Sequence, residues 1–378
     1  MGPAHRQLRA RRGLGPAAPR ERVIESAATE AAAAPGLRPR GVKPLWAAAA
    51  LLFAVGSVVA GVLVGPIGLG VGDVTRSVLA QLHLPGATSP LDATEEAILW
   101  DLRIPRVALG LLVGGMLALA GATYQGVFRN PLVDPYLLGI AAGAGLGVTL
   151  AIAYLPGRLR GQELIPPAAF LGGALAVVLT YSLGRSVGRE RDTVTLVLAG
   201  VTVTAFLTAV QTFVQQQNTD TLQQVYSWIL GRLPSSGWGD VTLILPYIAV
   251  SAIVILLHRR VIDVLNLGDD EAASLGINVG RTRIVLVVAA TVGTAAAVSV
   301  TGLIGFVGII VPHAVRLLTR GTYRAILPVS IIAGAGFLVF ADLIARTALS
   351  PAEVPIGIVT AFFGAPFFAI VLRTARGR

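Results

Sequence analysis

Long stretches without a single charged side chain leave this chain few ways to fold. The long uncharged runs are 44–72, 107–128, 135–157, 164–184, 193–219, 241–258, 284–315, 325–341 and 354–372. A helix needs about 20 mostly apolar residues to cross the hydrocarbon of a bilayer, and these runs have that scale. The seventh covers 32 residues, and Gly302, Gly305 and Gly308 punctuate its second half ahead of Pro312. One full span followed by a shorter one suits it better than a single helix, which brings the expected number of spans to ten. Composition agrees: 13% of residues are charged and mean hydropathy is +0.75, where a soluble domain carries about a quarter charged residues. The expected class is therefore all-α, a polytopic membrane protein.

Charge between the runs sets an expected orientation. Residues 1–40 hold eight arginines and few large apolar side chains, the composition of a disordered basic tail. With Lys43, that tail is taken as 1–43, the membrane domain as 44–373 and a short basic tail as 374–378. Basic residues favour the cytoplasm, so both ends are expected inside, and that requires an even number of crossings. Arg185, Arg189 and Arg191, then Arg259, Arg260, Arg281 and Arg283, then Arg316, Arg320 and Arg324 fall in loops on the same side. The stretch 65–101 on the other side is acidic through Asp73, Asp92, Glu95, Glu96 and Asp101. The formal charge of +10 is thus a membrane pattern and not a nucleic-acid footprint.

Some chemistry is excluded outright. Without cysteine there are no disulfides, thiolate metal sites or thiol nucleophiles. The single lysine, Lys43, follows Val42, so the phosphate-binding pattern GxxxxGK[ST] cannot be written. Ionisable side chains inside the spans are nearly absent apart from Asp342 close to an end, whereas ion-driven carriers keep such relays at mid-membrane. His313 follows Pro312 and is expected to be structural; His5, His83 and His258 lack a second ligand at metal spacing. A passive pore, or a permease powered by another subunit, is what remains.

Four features invite a functional reading beside a bland one. Within a cytoplasmic loop spanning 259–283, Val264–Gly280 reads VLNLGDDEAASLGINVG. Asp269 can cap a short helix that Gly276 stops, with Asp270 and Glu271 at its positive end and Leu265, Ala272 and Leu275 on one side. It is either a solvated connector or a piece pressed against a partner. Arg103, Arg106 and Arg346 stand at outer ends of spans, against the positive-inside trend; they pair locally with Asp101 or Asp342, or form a rim that docks something acidic. Thr204, Thr208, Gln211 and Gln215 recur at one helical turn, which lines an aqueous path or bonds to neighbouring helices. Gly114, Gly115 and Gly121, with GIAAGAGLG at 139–147, are small-residue surfaces for close packing.

Ordered motifs from about 44 to 373 resemble the FecCD family of ABC-importer permeases, which take up ferric siderophores, haem and cobalamin. They are RIPR at 103–106, LALAGATYQGVFRNPLVDPYLLGIAAGAG at 117–145, LVLAG at 196–200, YSWILG at 226–231 and LNLGDDEAASLG at 265–276. GLIGFVGIIVPHAVR at 302–316, ADLIAR at 341–346 and EVPIGIVTAFFGAPFF at 353–368 complete the set. The resemblance implies ten helices in the bacterial cytoplasmic membrane and a dimer with an identical or sister permease. It also implies two ATPase subunits inside, which bind ATP and magnesium, and a substrate-binding protein outside; the permease itself carries no cofactor. By motif, Leu267, Gly268, Asp269, Glu271, Ala272, Leu275 and Gly276 would form the segment that couples to the ATPase. Arg103, Arg106 and Arg346 would meet carboxylates of the binding protein. Thr193 would mark a cytoplasmic gate, although Val194 follows where relatives carry a second small hydroxyl residue, and the stripe on the fifth span would line the path.

Overall fold

A computed structural model describes residues 44–65, 67–83, 88–155, 164–187, 193–234, 237–319 and 321–375. The expected basic tail at 1–43 and most of the one at 374–378 lie outside the described residues. Among those described, every named element is a helix. Seven helices are long and apolar enough to cross a membrane, and three shorter apolar ones accompany them.

In chain order, α1 is Pro44–Leu63, followed by the amphipathic α2 (Val71–Gln81) and the short α3 (Ala93–Ala97). A π-helical stretch, Ile98–Arg103, leads into α4 (Ile104–Val127). After a 3-10 turn at Pro135–Leu138 come α5 (Ile140–Tyr154), α6 (Ile165–Val187), α7 (Thr193–Gln217) and α8 (Leu222–Ile229). α9 is Trp238–Leu257, α10 Arg259–Leu265, α11 Asp269–Ser274 and α12 Val279–Thr301. The chain finishes with α13 (Val307–Thr319), α14 (Tyr323–Thr347) and α15 (Ile356–Ala375).

The bundle is built around α4, whose residues from Val113 to Val127 are all buried. α14, α12, α13 and α9 pack against it. Such crowding needs faces without side chains. Gly114 lies against the Gly334 carbonyl of α14, and Gly121 against the Gly308 carbonyl of α13, so close that a Cβ at either position would overlap backbone. The same device joins α5 to α6, where Gly143 faces Gly172 and Gly147 faces Ala168. Both glycine stretches therefore serve helix packing.

The long seventh run breaks where its glycines suggested. α12 stops at Thr301, Gly302 turns with φ +70°, Phe306 takes φ +69°, and α13 begins at Val307. Bare backbone at this depth needs protein partners. Tyr136 supplies one: its hydroxyl donates to Ile304 O at 3.1 Å and accepts from Ile304 N at 3.2 Å. Replacing Gly121 by valine, which forces α4 away from α13, is expected to cost at least the ~1–3 kcal/mol typical of overpacking. A lowered thermal midpoint of the detergent-purified protein measures it.

Candidate functional site

At one end of the bundle the three singled-out arginines come together, and all are buried: Arg103 is 5% exposed, Arg106 8% and Arg346 7%. Arg103 closes the π-helical turn and points at the end of α1, where helical carbonyls have no partner of their own. Its guanidinium donates to Val62 O at 3.0 Å and Leu63 O at 3.1 Å, and also to Ile67 O. Arg346, from the last turn of α14, donates to Gly61 O in the same helix end. Two cations thus cap the negative pole of α1.

Arg106 is the hub between carboxylates. It donates through Nε and Nη2 to Asp342 at 2.8–3.1 Å and through Nη1 and Nη2 to Glu353 at 2.8 and 3.0 Å. Arg346 also stands 3.7 Å from Asp342. The expected local pairing with Asp342 is present for Arg346; Arg106 reaches the same carboxylate from 236 residues away, and Arg103 bonds to backbone carbonyls in place of Asp101. An outward rim of free guanidinium groups is not what these side chains form. The solvent-facing member is Glu353, whose side chain is 50% exposed. Hydrogen bonds from Arg106 hold its carboxyl below the usual carboxylate range. The pair is therefore intact at neutral pH and is lost on acidification through that lowered pKa.

The opposite end carries the acidic segment. α11 begins at Asp269 with Gly268 at its N-cap (φ +154°), and Gly276 ends the turn with φ +81°. The stop is as expected, but the start is not, because no side chain caps the helix. Glu271 folds back over Gly268, where a Cβ would collide with its carboxylate. Asp269 turns away to arginines: Oδ1 accepts from Arg129 Nη2 at 2.7 Å and from Arg283 Nη2 at 3.1 Å. Leu265 and Ala272 are buried, whereas Leu275 is 65% exposed, so the three do not share one side. Leu267, at 68%, is the second apolar side chain left open beside α11. The segment is tied down by Asn266 Nδ2 to Gly126 O at 3.2 Å and by the Asp263 carboxylate, which accepts from the Tyr323 and Arg324 amides.

The polar stripe on α7 divides. Gln211 is buried with its amide against Gly145 of α5, and Thr204 lies beside Gly139. Gln215 is half-buried and Thr208 exposed. Thr193 opens α7, and its side chain lies outside the described residues. A second stripe was missed: Thr202, Ala205, Ala209, Thr212 and Gln216 share an exposed face. Its two alanines interrupt the polar periodicity in the sequence. His313 sits edge-on to Phe367 at 5.9 Å, and its Nδ1 is buried without a partner.

Residues 50–374 match the model of the FecCD transport family. The chain belongs to this family. It is 42% identical over 280 residues to the cobalamin import system permease protein BtuC of Halobacterium salinarum, covering 74% of each chain. It is 37% identical to the iron(3+)-hydroxamate import system permease protein FhuB of Bacillus subtilis, over 75% of this chain and 73% of the relative. A solved structure described as an inward-facing metal-chelate type ABC transporter superposes with a TM-score of 0.76 at 26% identity, over 88% of this chain and all of the other. Like these FecCD relatives, the chain is a multi-pass membrane permease.

Asp342 is the keystone of the arginine cluster, because removing it leaves buried cations without their counter-charge. Asp342→Asn should lower stability by about 3–5 kcal/mol. Glu353→Gln, at the exposed edge, should cost clearly less, and thermal unfolding of the two variants in one detergent makes the comparison.

Proposed function

We propose that this chain is the membrane-embedded permease of an ATP-driven bacterial importer for a metal chelate, with a ferric siderophore as cargo. Its ten apolar helices span the cytoplasmic membrane with both ends inside, and it pairs with a second permease, identical or a sister chain. It is not itself an enzyme: two ATPase subunits bind ATP and magnesium on the α11 side, and a substrate-binding protein docks on the Arg106 side.

The observation that carries the reading is the α10–α11 elbow. It is anchored to the bundle through Asn266 and Asp263, yet it leaves Leu267 and Leu275 open on either side of the six-residue α11. Exposed apolar knobs on a well-held support are what a groove in a partner can grip. Gly268, Glu271, Ala272 and Gly276 shape that support.

Cargo passes along the exposed face of α7, where Thr202, Ala205, Thr208, Ala209, Thr212 and Gln216 offer uncharged surface beside the exposed Phe206 and Phe213. Gln211 holds that helix against α5, Thr204 lies beside Gly139 just before it, and Thr193 stands at the cytoplasmic mouth. Such a wall lets a bulky polar chelate slide without trapping it. Arg103, Arg106 and Arg346 serve docking indirectly. Three guanidinium groups face two carboxylates, and the surplus positive charge attracts an acidic partner while their bonds fix the rim around Glu353.

A cobalamin cargo is the second reading, favoured by the 42% identity to a cobalamin import permease; haem belongs to the same class of bulky chelates. Proteoliposomes containing the permease, its ATPase and its binding protein test both. ATP-dependent uptake of a ferric siderophore is expected, uptake of cobalamin alone would select the second reading, and equal uptake without the ATPase would refute the proposal. Leu275→Asp should weaken ATPase capture by about tenfold, as loss of an interface hot spot does, measured by co-purification from detergent.

A further inference from the structure

Asp269 was expected to touch the ATPase, but its carboxylate is already engaged. It joins two arginines that lie far apart in sequence, one in the turn after α4 and one on α12: Arg129 at 2.7 Å and Arg283 at 3.1 and 3.2 Å. Arg129 follows the end of α4 and takes φ +51°, a left-handed conformation that a side chain with a Cβ adopts at some cost. Arg283 rises from the first turns of α12, with a side chain only 7% exposed. The cost at Arg129 is one sign that its direction matters.

α4 and α12 are joined again deep in the bundle. The Tyr124 hydroxyl bonds Thr291 Oγ1 at 2.8 Å, and Gly293 sits against Met116. The two helices therefore behave as one body whose end is gripped by one carboxylate of α11. α11 itself is flanked by Gly268 at φ +154° and Gly276 at φ +81°, two points where the backbone can swivel. A helix of six residues between two glycines would rock under load unless something locked it.

We propose that Asp269 is a positioning residue, a strut that passes movement of α11 to α4 and α12 together through Arg129 and Arg283, and that it makes no essential contact with the ATPase. This rests on the coupling role proposed above for the elbow. A push on Leu267 and Leu275 displaces α11; with the strut in place the α4–α12 body follows, and without it the push is spent on rotation about the glycines. Because Arg129 and Asp269 are each about two-fifths exposed, the link is strongest at low ionic strength.

The test compares cargo moved per ATP hydrolysed in the complete proteoliposome system. Asp269→Asn is expected to co-purify with the ATPase as the wild type does, while cargo per ATP falls by about fivefold or more, the low end of typical coupling effects. Arg129→Gln should give the same fall from the other side of the bridge. Asp269→Glu, which keeps the charge, should restore most of the ratio. An unchanged ratio in both Asp269→Asn and Arg129→Gln would overturn the strut. So would loss of ATPase capture by Asp269→Asn, the behaviour of a contact residue. Failure of the wild type to couple uptake to ATP would instead remove the function proposed above, so the two failures are told apart by the unmutated complex.

Discussion

Inside a bilayer every backbone donor and acceptor must find a protein partner, and this bundle depends on how closely its helices approach α4 to meet that demand. The approach is possible because glycines face glycines: Gly114 meets Gly334, and Gly121 meets Gly308. With no hydrophobic drive between helices in lipid, shape at these contacts carries the association. A buried α4 then gives α12, α13 and α14 a common wall, and the break between α12 and α13 can exist only because that wall shields it.

The same helix organises charge at both of its ends. At its beginning, Arg103 and Arg106 reach α1, α14 and the loop carrying Glu353. Beyond its last turn, Arg129 reaches α11, and the Gly126 carbonyl holds Asn266. A buried guanidinium repays its desolvation only through well-placed acceptors, which is why Arg103 and Arg106 are forks between fixed acceptors. α4 is thus a rod with a polar fitting at each tip, and the proposed partners meet the protein at those tips.

Much of the fold was legible because hydropathy is a one-dimensional property. The span-length runs correspond to helices, and the break after Thr301 follows from Gly302. The amphipathic α2 and the π-helical lead into α4 were not, since 65–101 reads as a polar loop when its helices lie outside the runs. The sites were readable as positions and not as geometries. Periodicity found a polar face on α7 but not that Gln211 faces α5, because a period says nothing of what stands opposite. Asp269 looked like a cap because caps are local, whereas its real partners lie 140 and 14 residues away. Asp342 was visible as a lone charge near a span end, and its pairing with Arg106 across 236 residues had to be seen in three dimensions.

The Tyr136 hydroxyl stitches two irregular stretches, since the phenol sits on the 3-10 turn between α4 and α5 and serves both polar groups of Ile304. One oxygen atom therefore stands in for a missing rung of the helical ladder. Both discontinuities share that fastener, so a shift of one along the membrane normal pulls on the other.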